Sequence, residues 1–497
     1  MKRILKQTFF FLIFLSGFLI WGNAEAATYY SDFSTGADSN SGTSIGAPWK
    51  YAPGMSGWSG SATLSSGDVV VLKGGETWTF TSTTANLWTI PVSGITIQGG
   101  QRLETPWGTD YPVLDGAGAT VNRKGINFSG RSNITIDGIK IQNTVIAETD
   151  SGDGIYAVAT SVAMSNIEIK NCYLSKTGDH GISIQYGTNS TGSNIRIHRN
   201  TFLNSCQGVT SYIDSTAVVS GYYVYNNDFQ GPGNSVSGLH CDGIMLGSAC
   251  ADANTCLDTI EIYNNKFSGD WVRDATGLIN LQNGTAPQPT NDYYGGKQVK
   301  IYNNQLAADT DGMMPGLIAI YSKWDDVKIY NNTFGGYNAG VDPRLTGIMI
   351  NDNATNIDIK NNIFSGLNPD NNQAISGKSG TYTSDYNFFS TDILRLNIQG
   401  SPDCRTSASC LSQFGTEEHS AEGDPKFATS PNGTVGVGDW TIQSDSPAIN
   451  IGTDLSEYFT TDILGATRSG AWDIGAYEYV GVSDIVAPAS PSGLAVS

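Results

Sequence analysis

The stretch "KTGDHGISIQYG", residues 176 to 187, sets Asp179 and His180 directly before Gly181 and a short alternating apolar run, in a chain with only four histidines. A carboxylate beside an imidazole is the minimal apparatus for moving a proton. Three further acids and amides occupy the same place in neighbouring segments: Asp153 before "GIYA", Gln207 before "GVTS" and Asp242 before "GIML". Whether they meet in space depends on what repeats around them.

One pattern, apolar-x-apolar-x-Asn-Asn-x-aromatic or leucine, returns along the middle of the chain, as in "IEIKNCYL" from Ile167, "IRIHRNTF" from Ile195, "IEIYNNKF" from Ile260, "VKIYNNTF" from Val327 and "IDIKNNIF" from Ile357. Its first Asn position falls at 171, 226, 264, 303, 331 and 361, with Arg199 filling it once, at steps of 28, 27, 38, 39, 28 and 30 residues. Such a step holds several short strands and their turns, and is too short for a helical crossover. A second element follows each first one: glycine, apolar, any residue, apolar, at 154, 181, 208, 243, 277, 316 and 347. Alternation with period two buries one side of each strand. Strands recurring in fixed order without helices between them predict an all-β, right-handed parallel β-helix of about nine to twelve rungs, strands roughly 4.8 Å apart. The Asn pairs are expected to stack as amide ladders at one turn.

Stacking turns the residue before each glycine into a column: Asp153, His180, Gln207, Asp242, Thr276, Pro315, Thr346. The outward positions alongside read Tyr156, Ser183, Thr210, Met245, Ile279, Ile318, Met349. Polar groups thus concentrate on the same coils. The expected site has Asp153, Asp179, His180 and Asp242 as acid, base or metal-holding groups on one solvent-open groove, with Gln207, His240, Tyr156 and Ser183 contacting substrate. Asp or Asn before Gly is also ordinary turn chemistry, which is the structural alternative for Asp153 and Asp242. Calcium is the cofactor expected of an acidic exported chain, with Asp153, Asp179 and Asp242 as ligands. The inserts at 230–240 and 248–259 are expected to wall the groove.

The chain carries a net charge of −19, so a general field repels nucleic acid and anionic membrane, and an anionic substrate needs a local cation. A basic start, the apolar run Thr8 to Trp21 and Ala24-Glu25-Ala26 make a secretory signal peptide with cleavage expected after Ala26. No later stretch is long and apolar enough for a membrane helix. Seven cysteines in an exported chain predict disulfides. Stacking pairs Cys206 with Cys241, short loops pair Cys250 with Cys256 and Cys404 with Cys410, and Cys172 is left as a buried thiol.

"YYSDFSTGADSNSGTSIGAPWK" (29 to 50) resembles the amino-terminal segment of bacterial secreted β-helix proteins related to polysaccharide lyases. "SPAINIGTDL" (446 to 455) and "ILGATRSGAWDIGAYEY" (463 to 479) are similar to the carboxyl-terminal signature of right-handed parallel β-helix proteins carrying a choice-of-anchor Q segment. This resemblance implies one β-helix domain over 27–480, monomeric and pectate lyase-like. Residues 481–497, rich in Pro, Ala and Ser, resemble a linker and the first strand of a fibronectin type III-like module. "DHGISIQYG" also resembles the Gly-His-Gly-Ile-Ser-Ile stretch of polygalacturonases, with His180 at that family's histidine, although that family's Asn-Thr-Asp and Arg-Ile-Lys strands are missing. Asp153 and Asp179 match acidic ligands of calcium-dependent β-helix pectate lyases, where His180 and Ser183 replace two others. The resemblance implies a polysaccharide partner and lyase or glycosidase chemistry. The other class of function is a non-catalytic glycan-binding or surface adhesion module.

Overall fold

The computed structural model describes residues 26–481, apart from 81–84, 118–122, 146–151, 232–239, 251–256, 270, 272–274, 284–293, 310–315, 322, 338–345, 351–352, 367–372, 378–381, 391–395, 399–403, 405 and 430–437. The expected signal peptide, Cys256 and the module-like tail from 482 lie outside the described residues.

Every strand pairing within the sheets is parallel, and pairs each strand with its counterpart one coil away. Among the described residues three sheets of 12, 11 and 12 strands run the length of the chain, forming a right-handed parallel β-helix. The isoleucine sheet contains Ile167–Lys170, Thr191–His198, Val218–Tyr225 and Leu257–Tyr263. A short-strand sheet follows, with Tyr173–Ser175, Thr201–Leu203 and Asp228–Gln230. The glycine sheet, with Asp153–Ala159, His180–Tyr186 and Gln207–Ile213, completes each coil.

The repeat's alternation is what fills the interior. Ile167, Ile195, Tyr222, Ile260, Val299, Val327 and Ile357 are register partners in sequence, each with at most 1% of its surface exposed. Each isoleucine or valine side chain among them stabilises the fold by about 1.5–3 kcal/mol relative to exposure. Phe202, Phe229 and Phe267 stack face to face at 4.6 and 4.7 Å inside the short-strand sheet. Their rings explain the glycine of the second element: a Cβ on Gly208 would lie 2.5 Å from the Phe229 ring, and one on Gly243 2.5 Å from Phe267.

The two asparagines of the repeat do different work. The second of each pair forms the buried ladder: Asn200 donates to Asn227, Asn227 to Asn265, Asn265 to Asn304 and Asn304 to Asn332, each at 3.0 Å. The first, at 171, 226, 264, 303, 331 and 361, turns the chain in the left-handed region with φ between 48° and 57°. A short polar side chain makes that conformation accessible to Asn. Cys172 stands at the ladder's start as a buried free thiol, its proton affinity pushed up to about 12 by burial.

The carboxyl-terminal segment lies against the outside of the isoleucine sheet. Asn303, Asn331 and Asn361 donate to the carbonyls of Thr461, Asp473 and Thr453, and Phe459 stacks on Tyr302 at 4.4 Å. Disulfides join Cys206 to Cys241 and Cys404 to Cys410 as expected, and Cys250 is also disulfide-bonded.

Candidate functional site

The glycine sheet delivers the expected column at its start. Lys124, Asp153, His180 and Gln207 are successive register partners on four coils. His180 Nδ1 lies 2.7 Å from Asp153 Oδ1 and 3.8 Å from Asp179 Oδ2. The Lys124 ammonium is 3.6 Å from the other Asp153 oxygen and 4.6 Å from the centroid of the Tyr156 ring. Their side chains keep 19% (Lys124), 8% (Asp153), 13% (His180) and 21% (Asp179) of their surface exposed.

Burial opposes charge on the His180 ring, but the bond to Asp153 and the nearby carboxylate charges outweigh it, so its proton affinity lies above the ordinary histidine value. Burial also raises the proton affinity of Asp179, with the Asp153 charge adding to it and His180 opposing it. Burial, then Asp153, raises that of the Tyr156 hydroxyl. The result is an imidazole held by Asp153 through Nδ1, which leaves Nε2 as the nitrogen open to chemistry, with an acid of raised proton affinity next to it.

Lys124 joins the cluster from outside the set of residues expected from the sequence. The signal was present: "KGIN" at 124 carries the same glycine and isoleucine as "DGIY" and "HGIS", one coil earlier.

Asp242 departs from the expected convergence. It is fully buried. Its Oδ1 accepts from the backbone N–H groups of Thr276 (2.8 Å) and Gly277 (3.0 Å), and its Oδ2 accepts from Asn280 at 2.9 Å. The carboxylate fastens the next coil to its own. Beyond it the register also differs from the sequence alignment of glycines: Ile244 pairs with Ile279 and Ile279 with Ile318, so the coils at 277 and 316 carry one extra residue after the glycine. Ile279 and Ile318 therefore face the core, and Asn280 and Ala319 take the outward positions after Met245. Thr276 accordingly leaves the column that Asp153 and His180 begin, while Pro315 lies outside the described residues.

The expected substrate contacts divide similarly. Tyr156 is half-buried beside Lys124, and Ser183 is its register partner but fully buried, accepting from Gln185 at 3.1 Å. Gln207 donates to the His240 carbonyl at 2.9 Å and accepts from Thr210 at 2.8 Å, so it braces the insert. His240 is exposed and lies 3.0 Å from the Thr276 hydroxyl.

The three aspartates expected to hold calcium do not fit one ion. Both Asp242 oxygens are taken by N–H donors, and Asp153 is already engaged by His180 and Lys124. Among the described residues no group of three or more His, Cys, Asp or Glu is arranged to hold a metal.

No protein-family model matches the chain, and no curated protein matches it. Among solved structures it is similar to pectate lyase Pel9A, at 15% identity and a TM-score of 0.43 over 92% of this chain and 97% of that one. XylC in complex with xylose is similar at 10% identity and a TM-score of 0.42, over 91% and 98% of the two chains. PfbA, a surface adhesin of Streptococcus pneumoniae, is similar at 13% identity and a TM-score of 0.40, over 68% and 78%. The fold assignment rests on the strand pairing of the chain itself.

Proposed function

We propose that the chain is an exported polysaccharide-active β-helix protein that cleaves an acidic polysaccharide at the Lys124–Asp153–His180–Asp179 cluster. The observation that carries this reading is the 2.7 Å bond between His180 and Asp153 on neighbouring coils, with a second acid and a lysine around it. Clustering charges on a strand surface costs stability unless they hold a proton or a ligand.

In a β-elimination, His180 Nε2 takes the proton from C5 of a uronate, the C4–O bond breaks, a C4–C5 double bond forms, and Asp179 protonates the departing oxygen. Asp153 keeps the ring oriented through Nδ1. Lys124 meets the uronate carboxylate and lowers the acidity barrier at C5. A hydrolase would use the same acid with a water on the other side of the linkage. Disulfides in the described chain fit an oxidising compartment outside the cytoplasm. Among the described residues no helix is long and apolar enough to cross a membrane.

The experiment is a panel of uronate-containing and neutral polysaccharides, with and without a calcium chelator. An ultraviolet-absorbing unsaturated product supports elimination, and new reducing ends without absorbance support hydrolysis. Chelator-sensitive turnover would point to a calcium-dependent version of the reaction. Binding without any product would move the reading to a non-catalytic glycan-binding module, which the mutual satisfaction of Asp153, His180 and Lys124 also favours.

A further inference from the structure

Among the described residues the outer face of the isoleucine sheet is covered at both ends and open between. At one end Gln101 donates to the Gly138 carbonyl and Arg102 lies 3.5 Å from Asp137. At the other end Phe459 and Tyr458 pack on Tyr302 and Tyr330. The coils between present Glu168, Arg196, Tyr223 and Glu261 as one outward column and Lys170, His198, Tyr225 and Tyr263 as the next.

The charges on this open face are unevenly matched. Glu168 accepts from Lys170 at 2.7 Å and lies 3.2 Å from His198 Nε2, so its charge already has a partner. Burial holds the His198 ring's proton affinity below the ordinary value, which keeps it a neutral stacking surface, 4.5 Å from the parallel ring of Tyr225. Arg196 and Arg199 are exposed, and neither guanidinium has a hydrogen-bond or ion-pair partner among the described residues.

Arg199 is also out of place in the repeat. It holds the left-handed turn, at φ 55°, that asparagine holds at 171, 226, 264, 303, 331 and 361. For a long side chain that conformation costs of order 1 kcal/mol. Asn171, Asn303 and Asn361 bind neighbouring groups through their amides, whereas the Arg199 side chain makes no such bond among the described residues. An arginine here instead adds a second exposed guanidinium three residues from Arg196, whose charge reaches the His198 and Tyr225 side chains.

We propose that this face, centred on Arg196 and Arg199 with Tyr223 and Tyr225, is a second binding surface for an acidic polysaccharide, on a different sheet from the candidate catalytic cluster. Guanidinium forks match carboxylates two bonds at a time, and the tyrosine edges border them with apolar and hydroxyl surface suited to sugar rings. On a chain of net charge −19, an acidic polymer is repelled except where cations are concentrated. A polymer held on this face is kept at high local concentration for the groove, without any change in the groove itself. The substrate class rests on the proposed function, while the surface does not need His180.

The test uses the full chain carrying His180→Ala, so that binding is read without turnover. Retardation in native gels containing polygalacturonate is compared with gels containing neutral dextran, for that protein and for the same protein with Arg196→Gln and Arg199→Asn. The expected result is retardation by polygalacturonate alone, weakened by added salt and reduced about tenfold in apparent affinity by the two arginine changes. Arg199→Asn restores the residue of the other repeats, so its melting temperature should be unchanged or higher. If it falls, Arg196→Gln alone carries the comparison. Equal retardation after the arginine changes, equal retardation by dextran, or none by polygalacturonate overturns the proposal. Turnover that persists in the His180→Ala chain would sink the catalytic reading and leave this surface standing.

Discussion

His180 and Asp153 are register partners on adjacent coils, and His180 Nδ1 lies 2.7 Å from Asp153 Oδ1. Asp153 favours the charged ring, so the sign of its effect on pH dependence is fixed. If Nε2 is the base, activity rises with pH as the ring loses its proton at a value above the usual 6.5 or so. Asp153→Asn removes that hold and should move the acidic limb of the kcat/KM profile to lower pH, with a lower plateau. The stability that Asp153 lends through the charged ring is fully present below about pH 6.5 and fades as pH rises through the raised value. A pH–rate profile of both proteins checks the first statement, and melting temperatures at pH 5.5 and 9 check the second.

The two asparagines of one repeat should separate by stability. Asn304→Ala breaks the buried ladder, stranding groups on Asn265 and Asn332 and the Ile262 carbonyl, and should cost about 2–4 kcal/mol. Asn303→Ala removes contacts to the Thr461 carbonyl and Arg468 and should act on the carboxyl-terminal segment. Denaturant unfolding is expected to show a lower midpoint for Asn304→Ala, and hydrogen exchange to show faster exchange confined to residues near 461–475 for Asn303→Ala. A global loss of stability in both would contradict this division.

The carboxyl-terminal segment carries a pH-sensitive acid. Burial, then the Asp473 carboxylate, raises Glu478 to about 7, against the pull of Arg468 at 2.9 Å. A raised folded value means that the folded state favours the protonated acid. The associated stability is fully present below about pH 4.3 and is lost as pH rises through about 7. Glu478→Gln keeps a neutral group in place and should flatten the pH dependence of protease resistance in this segment between pH 5 and 8. An unchanged slope would mean that Glu478 does not govern it.

The fold was readable because a coil repeats its own sequence: Ile at alternate positions and Asn-Asn at the turn leave few architectures that bury one and pair the other. What the pattern did not distinguish was which asparagine of each pair goes inside, since two adjacent amides look alike until one adopts a left-handed turn. The alignment of glycines misplaced Ile279 and Ile318 because Gly277 and Gly316 are followed by one extra apolar residue, and leucine and isoleucine fill the core equally well. Asp153 and His180 came together because they lie on adjacent, regular coils. Asp242 sits in their column, yet its carboxylate turns to two backbone N–H groups that no linear pattern announces. Lys124 was overlooked because lysine before glycine is commonplace on a surface, and only stacking sets it beside Asp153.

The measurement that bears most directly on the account is the turnover of His180→Ala on whichever acidic polysaccharide the unaltered protein cleaves. The cluster lies on the outside of a core built from internal isoleucine and valine, so the variant should fold, with a melting temperature lowered only by the lost Asp153–His180 bond and most visibly at low pH. Its kcat/KM should fall by about 10²–10⁴-fold, the range supplied by a positioned acid or base. Full turnover by a folded His180→Ala protein would contradict the account and leave Asp153 and His180 as parts of the coil's surface alone.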